Sequence, residues 1–94
     1  MSIAEDPEGY EVSALSRLVP SLNGRRVLEV GCGDGRLTRR YAPGAASVIA
    51  IDPKAASIAV LQAEQPAVDA RALGIDELEL PPHSIDIAIF SWSL

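Results

Sequence analysis

The stretch RRVLEVGCGDGRLTRRYA, Arg25 to Ala42, decides the fold. A nearly unbroken apolar run, Val27 to Val30 with Glu29 inside it, ends in three glycines spaced two apart: Gly31, Gly33 and Gly35. Continuous apolarity fits a strand covered on both faces. After the glycines the spacing becomes helical, with Leu37 and Tyr41 four apart on one face. A helix is therefore expected from the glycines onward. A strand-to-helix turn with so few side chains lets a ligand approach the backbone. The N–H groups at a helix start are free to donate to that ligand.

Working outward, SVIAID (47–52) reads as a second buried strand. Pro53 fits the first position of a helix, and KAASIAVLQAEQ (54–65) continues it, with Ile58, Leu61 and Ala55 on its inner face. Pro66 stops it. AVDARAL (67–73) is a weak third strand, and GIDELELPPHS (74–84) is a loop with room for one helical turn. IDIAIFSW (85–92) is the most strand-like run in the chain. Upstream, Tyr10, Val12, Leu15, Leu18, Val19 and Leu22 fall at helical spacing, Pro20 ends or kinks that helix, and NGR (23–25) turns the chain. The first nine residues are polar and expected to fray. Strands alternating with helices build a parallel sheet. The expected class is α/β: a Rossmann-like, three-layer α/β/α domain with helices on both faces, truncated after strand four. Residues 1–22 would form an N-terminal helix and residues 25–94 the ligand-binding half.

Composition narrows the function. With 94 residues the chain holds one small domain. A net charge of -5 argues against general nucleic-acid binding. Arg36, Arg39 and Arg40 read as a solvated helix face. Cys32 is the only cysteine, so no internal disulfide is possible. The acidic start MSIAEDPEGYE lacks the order of a signal peptide, and a cytoplasmic setting is expected. No apolar run approaches the roughly 20 residues that span a membrane, so no membrane association is expected.

The glycine spacing then sorts the ligands. A dinucleotide site would read G-x-G-x-x-G, but Arg36 stands at the last position, and the chain reads G-x-G-x-G. No phosphate-cradling G-x-x-x-x-G-K-[ST] occurs, and Asp34 would repel a pyrophosphate. The loop suits a ligand without phosphates. Asp52 closes the second strand, 21 residues after Gly31, where a carboxylate can accept from both hydroxyls of a ribose. Asp76, in the loop after strand three, could accept from an exocyclic amine such as the N6 of adenine.

These residues together resemble a family. VLEVGCGDGRLT, then VIAIDPK, then GIDELELP ahead of SIDIAIFSWSL, look like a class I S-adenosylmethionine-dependent methyltransferase of the small-molecule type. LEVGCGDG fits its E/D-x-G-x-G-x-G first motif without a mismatch, and the likeness covers roughly residues 20–94. It implies S-adenosylmethionine as cofactor and a small-molecule methyl acceptor. Gly31, Cys32 and Gly33 would line the methionine part, and Glu29 would hold its amino group directly or through water. Asp52 would take the ribose hydroxyls and Pro53 would lie near the adenine. Asp76 would meet the adenine amine with Glu77 beside it, and Ser91 would lie near the methionine end. Acidic groups also complement the cofactor's sulfonium and ammonium.

Plainer readings stand beside these. Glu29 could pair with Arg25 or Arg26, Asp52 could cap the following helix, and Asp76 could be a turn residue. Cys32 reads as a small loop residue rather than a nucleophile. Asp86 reads as structural, His83 as a solvated loop residue, and Trp92 as core or interface. The family's sheet has seven strands in the order 3-2-1-4-5-7-6, and this chain carries four. The expectation is a cofactor-binding half that is a fragment of a longer protein or self-associates through the strand-four edge. The alternative is a non-catalytic module that binds cofactor or a partner chain. A nicotinamide-dependent dehydrogenase is disfavoured by Arg36.

Overall fold

The computed structural model of the chain describes residues 20–91. Trp92 and most of the helix expected over Tyr10–Leu22 lie outside the described residues. Four strands form one parallel sheet: β1 (Arg26–Val30), β2 (Ser47–Ile51), β3 (Asp69–Arg71) and β4 (Ile87–Phe90). Their spatial order is β3-β2-β1-β4, as the resemblance implied.

That order fixes where everything else lies. Steps from β1 to β2 to β3 run in one direction, so right-handed crossovers put both connecting helices on one face. The next strand lands on the far side of β1, and its connection must cross the other face. Packing agrees. Val27, Val48 and Ala50 pack with Leu37, Tyr41, Ile58 and Leu61, the residues of the two helical connections. Leu28, Val30 and Ile51 point the opposite way, toward Leu73, Leu78 and Ile85 of the β3–β4 connection. The reversal between β1 and β4 opens a crevice at the carboxyl ends of the strands, where ligands of such sheets bind.

The helical connections are α1 (Thr38–Tyr41), which runs into a 3-10 turn at Ala42–Gly44, and α2 (Ala55–Glu64). Helix α1 starts later than the sequence suggests. Gly33 and Gly35 are held at φ 58 and 95. A right-handed helix needs φ near −60, so none can pass through Gly35. Residues 33–37 form turns instead. Helix α2 also starts later than expected, at Ala55 with Lys54 at its N-cap, so Pro53 is not its first residue. Ile58 and Leu61 are its buried residues, whereas Ala55 is exposed. The β3–β4 connection carries one 3-10 turn, Ile75–Glu77, and is otherwise irregular.

Asp86 sits one residue before β4 and ties that strand to β1. Its Oδ2 accepts from the Arg26 backbone N–H at 2.8 Å and its Oδ1 from Arg26 Nη2 at 2.9 Å. Arg26 Nη1 also donates to the His83 carbonyl at 2.9 Å. This confirms the structural reading of Asp86, and it leaves Arg26 engaged away from Glu29.

Candidate functional site

Glu29 is fully buried within β1. A carboxylate there is costly unless it is hydrogen-bonded, and three hydroxyls provide for it. Its Oε1 accepts from Thr38 Oγ1 at 2.6 Å and from Tyr41 Oη at 2.7 Å, both on α1. Its Oε2 accepts from Ser91 Oγ at 2.5 Å, just past β4. The salt bridge to Arg25 or Arg26, the plainer sequence reading, is not formed. Burial first, then the Glu29 charge and hydrogen bond, push the Tyr41 phenol far above its usual range, so it stays a donor. Thr38 and Tyr41 were missed in the sequence. Their spacing of three on one helix, facing a buried acid, was the available signal.

The Gly31–Gly35 turn is latched to the sheet by Asp52. Its Oδ2 accepts from the Gly33 N–H at 3.0 Å and its Oδ1 from the Lys54 N–H at 2.9 Å. The second bond closes a local turn and does not cap α2, whose N-cap is Lys54. A carboxylate offers roughly four acceptor positions, so two remain for hydroxyl donors. Gly31 and Cys32 donate their N–H groups to the Ile51 carbonyl at 2.8 and 3.1 Å, pinning the start of the turn.

Two cavities meet at Asp52. The first, about 240 Å³, runs along the glycine turn and is lined by Glu29, Gly31, Cys32, Gly33, Asp52 and Ser91, with Asp34, Arg36, Leu37, Lys54 and Ser57. The second, about 440 Å³, has apolar walls from Val30, Ile51, Pro53, Leu73 and Ile75, and shares Gly31, Asp52 and Lys54 with the first. Leu73 and Ile75 were not singled out from the sequence, although they are among the apolar residues of the connection that crosses this face. Together the cavities have an acidic, hydroxyl-rich end, a carboxylate at the junction and an apolar slot.

Seven of the nine expected residues are brought together in this way: Glu29, Gly31, Cys32, Gly33, Asp52, Pro53 and Ser91. Asp76 and Glu77 are not. Asp76 is exposed and lines neither cavity. Glu77 turns back: its Oε1 accepts from the Gly74 N–H at 2.8 Å while its own N–H donates to the Gly74 carbonyl at 3.0 Å. Its carboxylate closes the 3-10 turn rather than facing the slot. Cys32 is buried, and burial followed by the Glu29 and Asp52 charges pushes its thiol up to about 12. A protonated thiol is a poor nucleophile, in keeping with its reading as a loop residue. Among the described residues no cluster of side chains could hold a metal ion, and no helix is long and apolar enough to cross a membrane.

Known proteins share this sequence pattern and fold. Residues 27–94 match the family described as "Methyltransferase domain". A probable S-adenosylmethionine-dependent methyltransferase of Mycolicibacterium smegmatis is 40% identical over 73 residues, covering 78% of this chain and 28% of that protein. One from Mycobacterium tuberculosis is 36% identical, covering 78% of this chain and 27% of that protein. The crystal structure of an S-adenosylmethionine-dependent methyltransferase from Mesorhizobium loti superposes with a TM-score of 0.71 at 30% identity, covering 85% of this chain and 38% of that one. The chain belongs to this methyltransferase family, within the class I S-adenosylmethionine-dependent group. It spans under a third of the length of these curated relatives.

The residues present fit the family's cofactor. Glu29 and Ser91 suit an ammonium, the spare acceptor capacity of Asp52 suits a ribose diol, and the slot between Ile51, Leu73 and Ile75 suits a flat base.

Proposed function

We propose that this chain carries the cofactor-binding half of an enzyme that methylates a small-molecule acceptor with S-adenosylmethionine. One observation carries the reading: Asp52 stands where a cavity with an acidic, hydroxyl-rich end meets an apolar one, as a cofactor with an amino-acid tail, a ribose and a base requires. Glu29 and Ser91 hold the amino group, Asp52 takes the ribose hydroxyls, and Pro53, Leu73 and Ile75 flank the adenine. Bound S-adenosylmethionine supplies a methyl group on a cationic sulfur, open to displacement by a nucleophile. The chain's part is to hold and orient that tail and nucleoside, and much of the rate in such transfers comes from positioning. A small-molecule acceptor and a cytoplasmic setting belong to the same reading. The net charge of -5, which disfavours a nucleic-acid acceptor, and the single buried cysteine support them.

Calorimetric titration with S-adenosylhomocysteine, with NAD as control, tests the reading. Selective binding is expected, and Asp52→Ala should weaken it at least about tenfold, the loss of one or two charged hydrogen bonds. Equal affinity for NAD, or no effect of Asp52→Ala, would overturn the assignment. Formation of S-adenosylhomocysteine with candidate acceptors then separates catalysis from cofactor binding alone.

A further inference from the structure

The buried carboxylate of Glu29 has an unequal set of partners. Both acceptor positions of Oε1 are filled, by Thr38 Oγ1 and Tyr41 Oη. On Oε2, among the described residues, Ser91 Oγ alone donates. Glu29 and Ser91 line the smaller cavity, whereas Thr38 and Tyr41 lie behind it, 0% and 1% exposed. The remaining acceptor position of the carboxylate is therefore on the oxygen it shares with Ser91. All three of these donors are neutral, so a ligand's ammonium would complement the carboxylate in charge as well as in hydrogen bonding.

We infer that Thr38 and Tyr41 are positioning residues that set recognition of the ligand's amino group: by saturating Oε1 they hold Oε2 in place as the acceptor for an ammonium. The inference rests on the cofactor reading above and adds residues that do not touch the ligand. Without either hydroxyl, Oε1 has a free acceptor position. The carboxylate can then rotate or recruit water, and the ammonium loses a fixed partner. The nucleoside half of the site lies on the other side of Asp52 and is untouched. The two hydroxyls should therefore govern selectivity between ligands with and without an amino-acid tail, not affinity in general.

Two probes separate these effects. S-adenosylhomocysteine carries the amino-acid tail, and methylthioadenosine is the same thioether nucleoside without it. Tyr41→Phe and Thr38→Val each remove one hydroxyl at nearly constant shape. Each should weaken S-adenosylhomocysteine about tenfold, within the range for hydrogen bonds to a charged group. Methylthioadenosine affinity should stay within about twofold of wild type. Thr38→Ser keeps the hydroxyl and should restore selectivity. If Tyr41→Phe fails to fold, the Thr38→Val and Thr38→Ser pair decides alone. An equal fall for both probes would overturn the proposal, since the hydroxyls would then merely support the fold. So would unchanged S-adenosylhomocysteine binding. Failure of the cofactor reading looks different: the wild-type chain would bind neither probe.

Discussion

Gly33 and Gly35 are both held in the left-handed region, yet replacing them should have different consequences. A Cβ on Gly35 would come within 2.5 Å of Leu61 Cδ1, on a side chain that is fully buried in the core. A Cβ on Gly33 would meet nothing within 4 Å. Both alanine variants carry the strain of a left-handed conformation, about 1–2 kcal/mol. Gly35→Ala adds overpacking of about 1–3 kcal/mol. Denaturant unfolding should therefore show Gly35→Ala as the less stable variant. Gly33→Ala should stay folded and lose S-adenosylhomocysteine affinity instead, because Gly33 lines the cavity and its new methyl would take up open space there. Equal stability losses in the two variants would contradict this division. The glycines were legible in the sequence as a ligand turn, but this difference was not. It depends on a side chain 26 positions further on, brought in by the fold of α2.

The ends of the elements are held by local chemistry that periodicity does not record. The four strands and α2 could be read from apolar runs and helical spacing. The start of α1 could not, because leucine and tyrosine spacing says nothing about the φ angles of the glycines before it. Asp86 shows the same limit. Its structural role was expected, but its partner, 60 positions away, comes only from the β1–β4 register. That pairing predicts a pH dependence. Hydrogen bonds from the Arg26 side chain and then its backbone N–H lower the Asp86 carboxyl from its usual 3.8 to about 2. A depressed carboxyl stabilises the fold above its unfolded value and loses that effect as the pH falls through its folded one. The contribution is thus whole above about pH 4 and drains away toward pH 2. Asp69 is also lowered, by the Arg71 side chain, and acts in the same direction. Thermal melts of wild type and Asp86→Asn should differ at neutral pH and converge near pH 2. A gap that persists there would mean that Asp86 acts by shape rather than by charge.

At the scale of the whole molecule, the sheet has two outer strands of very different character among the described residues. β3 is three residues long and reads Asp-Ala-Arg, with Arg71 Nη2 2.9 Å from Asp69 Oδ2. A short, charged strand is a poor template for another chain. β4 reads Ile-Ala-Ile-Phe, and Phe90 is 44% exposed. Ala88 and Phe90 pair with Leu28 and Val30 and so belong to the face opposite the two helices. An apolar outer strand favours pairing with a further strand. We propose that the partner, in the chain taken by itself, is a second copy. Light scattering from dilute to concentrated solution should then show a rising average mass. Phe90→Lys places a charge on the strand and should shift that rise to higher concentration, while leaving S-adenosylhomocysteine affinity intact, since Phe90 lines neither cavity. A constant monomer mass across the range would rule out association through β4. Association unaltered by Phe90→Lys would move the contact to another surface, with the half-exposed Val60 of α2 the next residue to test.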